Sequence, residues 1–210
     1  MRTLGVVDVT YAAVGDVYAR AEAARADGFA HIDPALGTDE ARLALPIGCP
    51  TSFPKPAATW CTTPAPAASF DNAWERAVRW WRAAPEALLE PWAGACVNSR
   101  ESIDAFRAEV PGVRLLVDTG HVADWGEDPC ALLDLAGHVQ LRQGKPGQTQ
   151  LHVDDASGVV DFAAVFRRLD ALDYRGKISI EYFDLPELGW PLADPVQWAR
   201  DLAARVGALS

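Results

Sequence analysis

The 210-residue sequence predicts an α/β fold: a compact (β/α)8 barrel, shortened between its third and fourth strands. Three observations predict it. Short apolar runs alternate with helical patterns, as βα units around a parallel sheet do. Eight such runs can be counted. The length lies close to the lower size of such barrels, roughly 200 residues. No repeat, low-complexity tract or linker divides the chain, so residues 1–210 read as one domain.

The first run is Leu4–Val9, followed by a helix pattern from Asp16 to Arg25 that Gly28 ends. The second run is Ala30–Pro34 and the third is Leu43–Ile47. The stretch from Pro46 to Pro66 is rich in proline and threonine; Ala58–Thr62 within it is the expected fourth strand, with no helix before it. Asn72–Ala83 is a helix pattern behind Ser69 or Asp71 as N-cap. Glu86–Glu90 is the fifth run. Asn98 and Glu101 resemble a capping box, and Pro111-Gly112 must end the helix they start. Val113–Asp118 is the sixth run. Asp128-Pro129 opens a further helix that Gly137 closes. His138–Arg142 is the seventh run, Asp161 caps the helix after it, Lys177–Tyr182 is the eighth run, and Asp194-Pro195 starts the last helix.

Composition narrows the function. The formal net charge is -10, and no basic stripe is visible, so nucleic acid is not an expected partner. No stretch approaches the roughly 20 apolar residues of a membrane span, and the N-terminus lacks a signal-peptide pattern. Cys49, Cys61, Cys96 and Cys130 are scattered without a Cys-x-x-Cys pair. Reduced structural thiols and a cytoplasmic location are the expectation.

Strand phase singles out a site. Side chains alternate between the two faces of a strand. His138, Gln140 and Arg142 therefore oppose Val139 and Leu141; Ser179 and Glu181 oppose Ile178, Ile180 and Tyr182; Asp118 opposes Val117. The polar face points into the barrel. Glu90, Asp118, Gln140 and Glu181 then stand one per strand at the carboxyl ends of the last four strands, where barrel enzymes build their sites. Converging carboxylates repel unless protonated or neutralised. A divalent cation resolves that, and carboxylates with an amide oxygen suit Mn, Mg or Co. Taken singly, each is as well read as a solvated or salt-bridged strand end.

The segments LLEPW at 88–92, LLVDTGHVADWGEDP at 115–129, HVQLRQGKPGQTQ at 138–150, SGVVDFAAVFRRL at 157–169 and KISIEYF at 177–183 resemble the xylose isomerase-like TIM-barrel family. That family includes sugar isomerases and epimerases, hydroxypyruvate isomerase, inosose isomerase and endonuclease IV. The resemblance implies that Glu90, Asp118 and Glu181 bind metal. Gln140 falls where most members carry His, which makes zinc a poorer fit. It implies that His121 contacts substrate oxygen. The family's Gly-Glu-Gly is replaced here by Ala156-Ser157-Gly158.

The expected function is a divalent-metal-dependent isomerase or epimerase of a sugar, sugar phosphate or related polyol-ketone. A metal on the carbonyl and adjacent hydroxyl stabilises an enediolate. Glu90 and Glu181, three strands apart, flank the substrate as the acid/base pair. Arg142 is placed either to hold a substrate phosphate or carboxylate or in a rim salt bridge. Trp92 and Trp125 are candidates to stack on a sugar, and His152 and Lys145 are further candidate contacts. His31 and Asp33 stand at the second strand's end, as pocket lining or core. Alternatives are a dehydratase of the inosose or dehydroshikimate type and a non-catalytic small-molecule-binding barrel. A phosphodiesterase resembling endonuclease IV would need more histidines than His31, His121, His138 and His152. A small sugar-like substrate is the expected partner, with a homodimer left open.

Overall fold

A computed structural model describes residues 2–186 and 190–209. It contains strands β1 (Leu4–Val7), β2 (Ile32–Asp33), β3 (Thr62–Pro64), β4 (Leu88–Glu90), β5 (Leu115–Asp118), β6 (Ala136–Leu141), β7 (Gln143–Lys145), β8 (Gln148–Leu151) and β9 (Ile178–Ile180). Seven of them form one curled parallel sheet in the order β2-β1-β9-β6-β5-β4-β3. The two edges meet through the intervening chain. Ile47 bridges to Ile32, and Thr51 bridges to Ala35 and to Thr62. The helices are α1 (Val17–Ala26), α2 (Ala73–Ala83), α3 (Arg100–Glu109), α4 (Thr119–Asp124), α5 (Phe162–Ala171) and α6 (Pro195–Gly207).

Several expectations are corrected. Leu43–Ile47 is not a strand. A 3-10 turn occupies Glu40–Arg42, and Pro46 and Pro50 supply carbonyls but no N–H to a ladder, so pairing there reduces to single bridges. The fourth predicted strand lies later than expected, at Thr62–Pro64. Helix α2 is entered through Asn72 in a left-handed conformation (φ 54°), not through a Ser69 or Asp71 cap. Helix α3 is capped by Ser99 with Ser102, one residue on from the expected pair. Asp128-Pro129 opens only two 3-10 turns, Pro129–Ala131 and Leu133–Leu135. Gly137 lies inside β6 and closes no helix. A Cβ there would sit 2.4 Å from Leu88 Cδ2, so close packing explains this glycine.

Caps at Asp16, Asp161 and Asp194 form as the sequence predicts, each carboxylate accepting first-turn N–H groups. Leu89, Leu115, Val117, Val139, Ile178 and Ile180 pack outward against Trp81, Phe106, Phe166 and Leu202 of the helices. Each fully buried large side chain stabilises the fold by roughly 1.5–3 kcal/mol. Leu88 and Leu116 belong to a separate small cluster with Cys49. They share strand faces with Glu90 and Asp118, so the apolar filling of the barrel interior lies directly beneath the polar residues.

Candidate active site

The four predicted ligands converge at the carboxyl ends of their strands. Asp118 pairs with Gln140 in register, and Gln140 with Ser179, the residue two before Glu181. Their exposures are 8, 1, 2 and 8 % for Glu90, Asp118, Gln140 and Glu181, so the site is nearly dry.

The Asp118-Thr119-Gly120-His121 run has a clear local logic. Asp118 ends β5 and caps α4, accepting a hydrogen bond from the His121 N–H at 2.9 Å. A Cβ on Gly120 would lie 2.2 Å from the Thr149 carbonyl oxygen and 2.9 Å from Arg142 Cβ, so only glycine lets α4 start here. The turn brings His121 Nε2 to 3.8 Å from Glu90 Oε1. The His121 Nδ1 is buried without a partner.

Arg142 supplies the positive charge at the centre. It is fully buried, and its Nη2 donates to Asp118 Oδ2 at 2.6 Å and pairs with Glu181 Oε2 at 2.8 Å. Its guanidinium lies over the Phe183 ring, 4.8 Å from the centroid. Arg142 is therefore not free at the mouth for a phosphate, as one expectation had it; two carboxylates of the same site engage it.

Burial, followed by the Asp118 charge, pushes the Glu90 carboxyl up to about 7, with Arg142 opposing. Burial also raises Glu181 well above its ordinary value, with Arg142 opposing. For Asp118 burial acts upward too, but the Arg142 charge and the hydrogen bond from the His121 backbone N–H hold the carboxyl below its usual range. Burial pushes His121 down to about 3, so its imidazole is neutral.

These groups floor a cavity of about 420 Å³. Glu90, His121, Gln140 and Glu181 line it below; Phe53, Trp92, Phe183 and Trp190 line it with aromatic surface. Trp190 lies 6.0 Å from the His121 ring and 5.5 Å from Phe183. Among the described residues no lysine or arginine lines this cavity. Phe53, Phe183 and Trp190 are missing from the sequence reading. An aromatic residue just past a strand end is a signal for Phe183; nothing in the sequence marks Phe53 or Trp190.

The other candidates, Trp92 apart, lie away from this cavity. Trp92 is at the cavity, its Nε1 donating to the Ala65 carbonyl at 2.8 Å. Trp125 packs on the core with its Nε1 buried and unpartnered, and does not line the cavity. His152 pairs with Asp201 at 3.0 Å and packs edge-on against Trp198. Lys145 donates to Ser157 Oγ. His31 and Asp33 fill the barrel interior: His31 meets Ser179 Oγ at 3.1 Å, and Asp33 pairs with His138 at 2.8 Å. A larger cleft, about 580 Å³, lies at the other end of the strands around Trp60, Arg114 and Lys177, away from the carboxylates.

Among the described residues no three His, Cys, Asp or Glu side chains form a ready group for a metal ion. The donor chemistry nevertheless fits one. With Glu90, Asp118 and Glu181 all ionised, the Arg142 guanidinium would leave two negative charges for a cation to offset, and Gln140 Oε1 is a buried acceptor with no donor.

A family model described as xylose isomerase-like TIM barrel matches residues 38–205. The chain belongs to that family. Its fold is similar to a 3-keto-D-glucoside 4-epimerase from E. coli (15% identity, 99% of this chain and 100% of that one, TM-score 0.69). It is also similar to an L-ribulose 3-epimerase (17%, 99% and 94%, TM-score 0.70) and to the IOLI protein with a binding zinc atom (11%, 99% and 98%, TM-score 0.66). No curated protein sequence matches the chain. No helix among the described residues is long and apolar enough to cross a membrane.

Proposed function

We propose that this member of the family is a divalent-metal-dependent isomerase or epimerase of an unphosphorylated sugar or sugar derivative. The observation that carries this reading is the cavity itself. A raised-pKa glutamate lies on either side of it, and aromatic rings without a cation form its walls.

Glu90, Asp118, Gln140 and Glu181 would hold the ion, with Mn, Mg or Co suited to this oxygen-donor set. The bound ion would neutralise charge developing on substrate oxygens during proton transfer next to a carbonyl. This chain's own residues do the rest. Strands β4 and β9 are separated in the sheet by β5 and β6, so Glu90 and Glu181 face a substrate from two sides. A carboxyl near 7 can hold or release a proton at neutral pH, as general acid–base catalysis needs. Neutral His121, which lines the cavity with Nε2 3.8 Å from Glu90 Oε1, can share a hydrogen bond with a substrate hydroxyl. Trp190 and Phe183 exclude water and present flat apolar surface to a sugar's C–H face. A phosphate would meet no cationic side chain among the cavity-lining residues described, and the buried Arg142 is not one of them. The epimerase names of two structures of similar fold agree with this reading.

The test is deuterium uptake. With Mn(II) in D2O and a panel of ketoses and keto-glycosides together with phosphorylated counterparts, proton NMR should show exchange at the carbon beside the carbonyl of the unphosphorylated members. Glu181→Gln and Glu90→Gln should each slow it by about 100-fold or more. Exchange confined to phosphorylated sugars, or unaffected by either substitution, would refute the assignment.

A further inference from the structure

Arg142 is held from several directions. Its backbone N–H donates to Thr119 Oγ1 at 2.9 Å, and that hydroxyl donates back to the Arg142 carbonyl at 2.8 Å. Gly120 closes on its Cβ, and Phe183 covers the guanidinium. So fixed, Nη2 takes Asp118 Oδ2 and Glu181 Oε2 together. The His121 N–H takes Asp118 Oδ1. Three of the four oxygens of this carboxylate pair are thus engaged from within the chain, while Gln140 Oε1 beside them has no donor.

A cation entering this group meets a guanidinium already paired with the same two carboxylates. Like charges at contact distance repel strongly in a site this dry. We infer that Arg142 is an internal counter-ion that competes with the divalent cation for Asp118 and Glu181. It keeps the carboxylates assembled when no ion is bound, and it weakens the site's hold on an ion. Arg142 is then a positioning residue that sets cation affinity. The inference rests on the reading of these four residues as cation ligands.

The experiment compares chelator-stripped wild type, Arg142→Met and Arg142→Lys. Mn(II) binding is followed by the electron paramagnetic resonance of the free ion, and stability by thermal melts with and without Mn(II). Arg142→Met should bind Mn(II) about tenfold or more tightly than wild type. Its ion-free melting temperature should fall below wild type's, and Mn(II) should raise it by more. Arg142→Lys keeps the charge on a shorter side chain that loses the Nε contact to Asp118 Oδ1 and the guanidinium plane over Phe183, so it should hold the carboxylates less well and its affinity should fall between. Arg142→Met that melts cooperatively yet binds Mn(II) no better than wild type overturns the counter-ion role. If Arg142→Met does not fold even with Mn(II), the lysine variant decides: affinity at or below wild type overturns the role. Absence of Mn(II) binding in all three folded proteins overturns the cation-site reading itself, and the counter-ion role with it.

Discussion

His31 occupies space that Gly5 leaves open. A Cβ on Gly5 would lie 2.1 Å from His31 Cδ2, so a larger residue in β1 would expel the imidazole from the barrel interior. Burial pushes this histidine down to about 4, with Asp33 opposing. The folded state therefore keeps it neutral, while the unfolded chain protonates near 6.5. Its contribution to stability is complete above pH 6.5 and is lost as pH falls from there toward 4. Between pH 7 and pH 5 the loss is about 2 kcal/mol. Urea denaturation of wild type and His31→Gln at both pH values measures it: the wild-type decrease should exceed the variant's by that amount, and equal decreases would sink the assignment. At this scale the sequence was legible for which residues face inward and opaque for what they touch. Arg142 and Gln140 share a face by period two. That Arg142 reaches Asp118 and Glu181, 24 and 39 positions away, depends on side-chain paths that pattern does not encode.

Helix ends are where local chemistry was most readable. Asp16, Asp161 and Asp194 stand before helical patterns and cap them. At α3 the Ser99 hydroxyl accepts from the Ser102 N–H, and Ser102 Oγ accepts from the Ser99 N–H. Ser99→Ala should cost about 1 kcal/mol, a fall of roughly 2–4 °C in melting temperature for a chain of this size; a calorimetric melt checks it, and an unchanged midpoint would remove the cap from the account. Three elements have no counterpart in the sequence pattern, the first a 3-10 helix at Asp8–Val14 that cuts the expected run Leu4–Val9 short at Val7. Helix α4 has six residues, too few for a periodic pattern, and begins on the residue after a strand. The β7–β8 hairpin turns at Pro146-Gly147, with Gly147 at φ 79° and Lys145 paired to Gln148. Proline followed by a positive-φ glycine suits a type II turn, so that signal was present and unused. The hairpin matters to the site because the Thr149 carbonyl closes on Gly120, and the Gly120 carbonyl in turn packs against Gly144, which fixes the start of α4.

Across the whole molecule stability is uneven. Strands β1, β9, β6, β5 and β4 are central, with partners on both sides. The chain from residue 34 to 61 joins the sheet's edges by single bridges and carries only one 3-10 turn. Segments with sparse pairing open at lower free energy than the core. Hydrogen exchange should therefore be slowest in β5, β6 and β9 and fastest within 34–61, with the Thr51 and Ser52 amides slower than their neighbours because they bond to the Pro34 and Thr62 carbonyls. Uniform protection across the chain would contradict this picture. Phe53 projects from that segment into the cavity wall and is 81% exposed, so the least secured stretch of the fold also borders the site.

By itself the sequence determined the alternation of strands and helices and the residues that share the inner face. Both follow from periodicities of two and 3.6 that act over a few neighbouring residues. It placed Glu90, Asp118, Gln140 and Glu181 at one end of the sheet. Only the tertiary structure decided how the sheet's edges meet across 34–61, which aromatic rings enclose the cavity, and which positive charge balances the carboxylates. Those depend on contacts between segments far apart in the chain, and on burial that raises Glu90 and Glu181 while Arg142 holds Asp118 down. The four polar residues define where the chemistry can occur, and the buried arginine among them defines the charge it starts from.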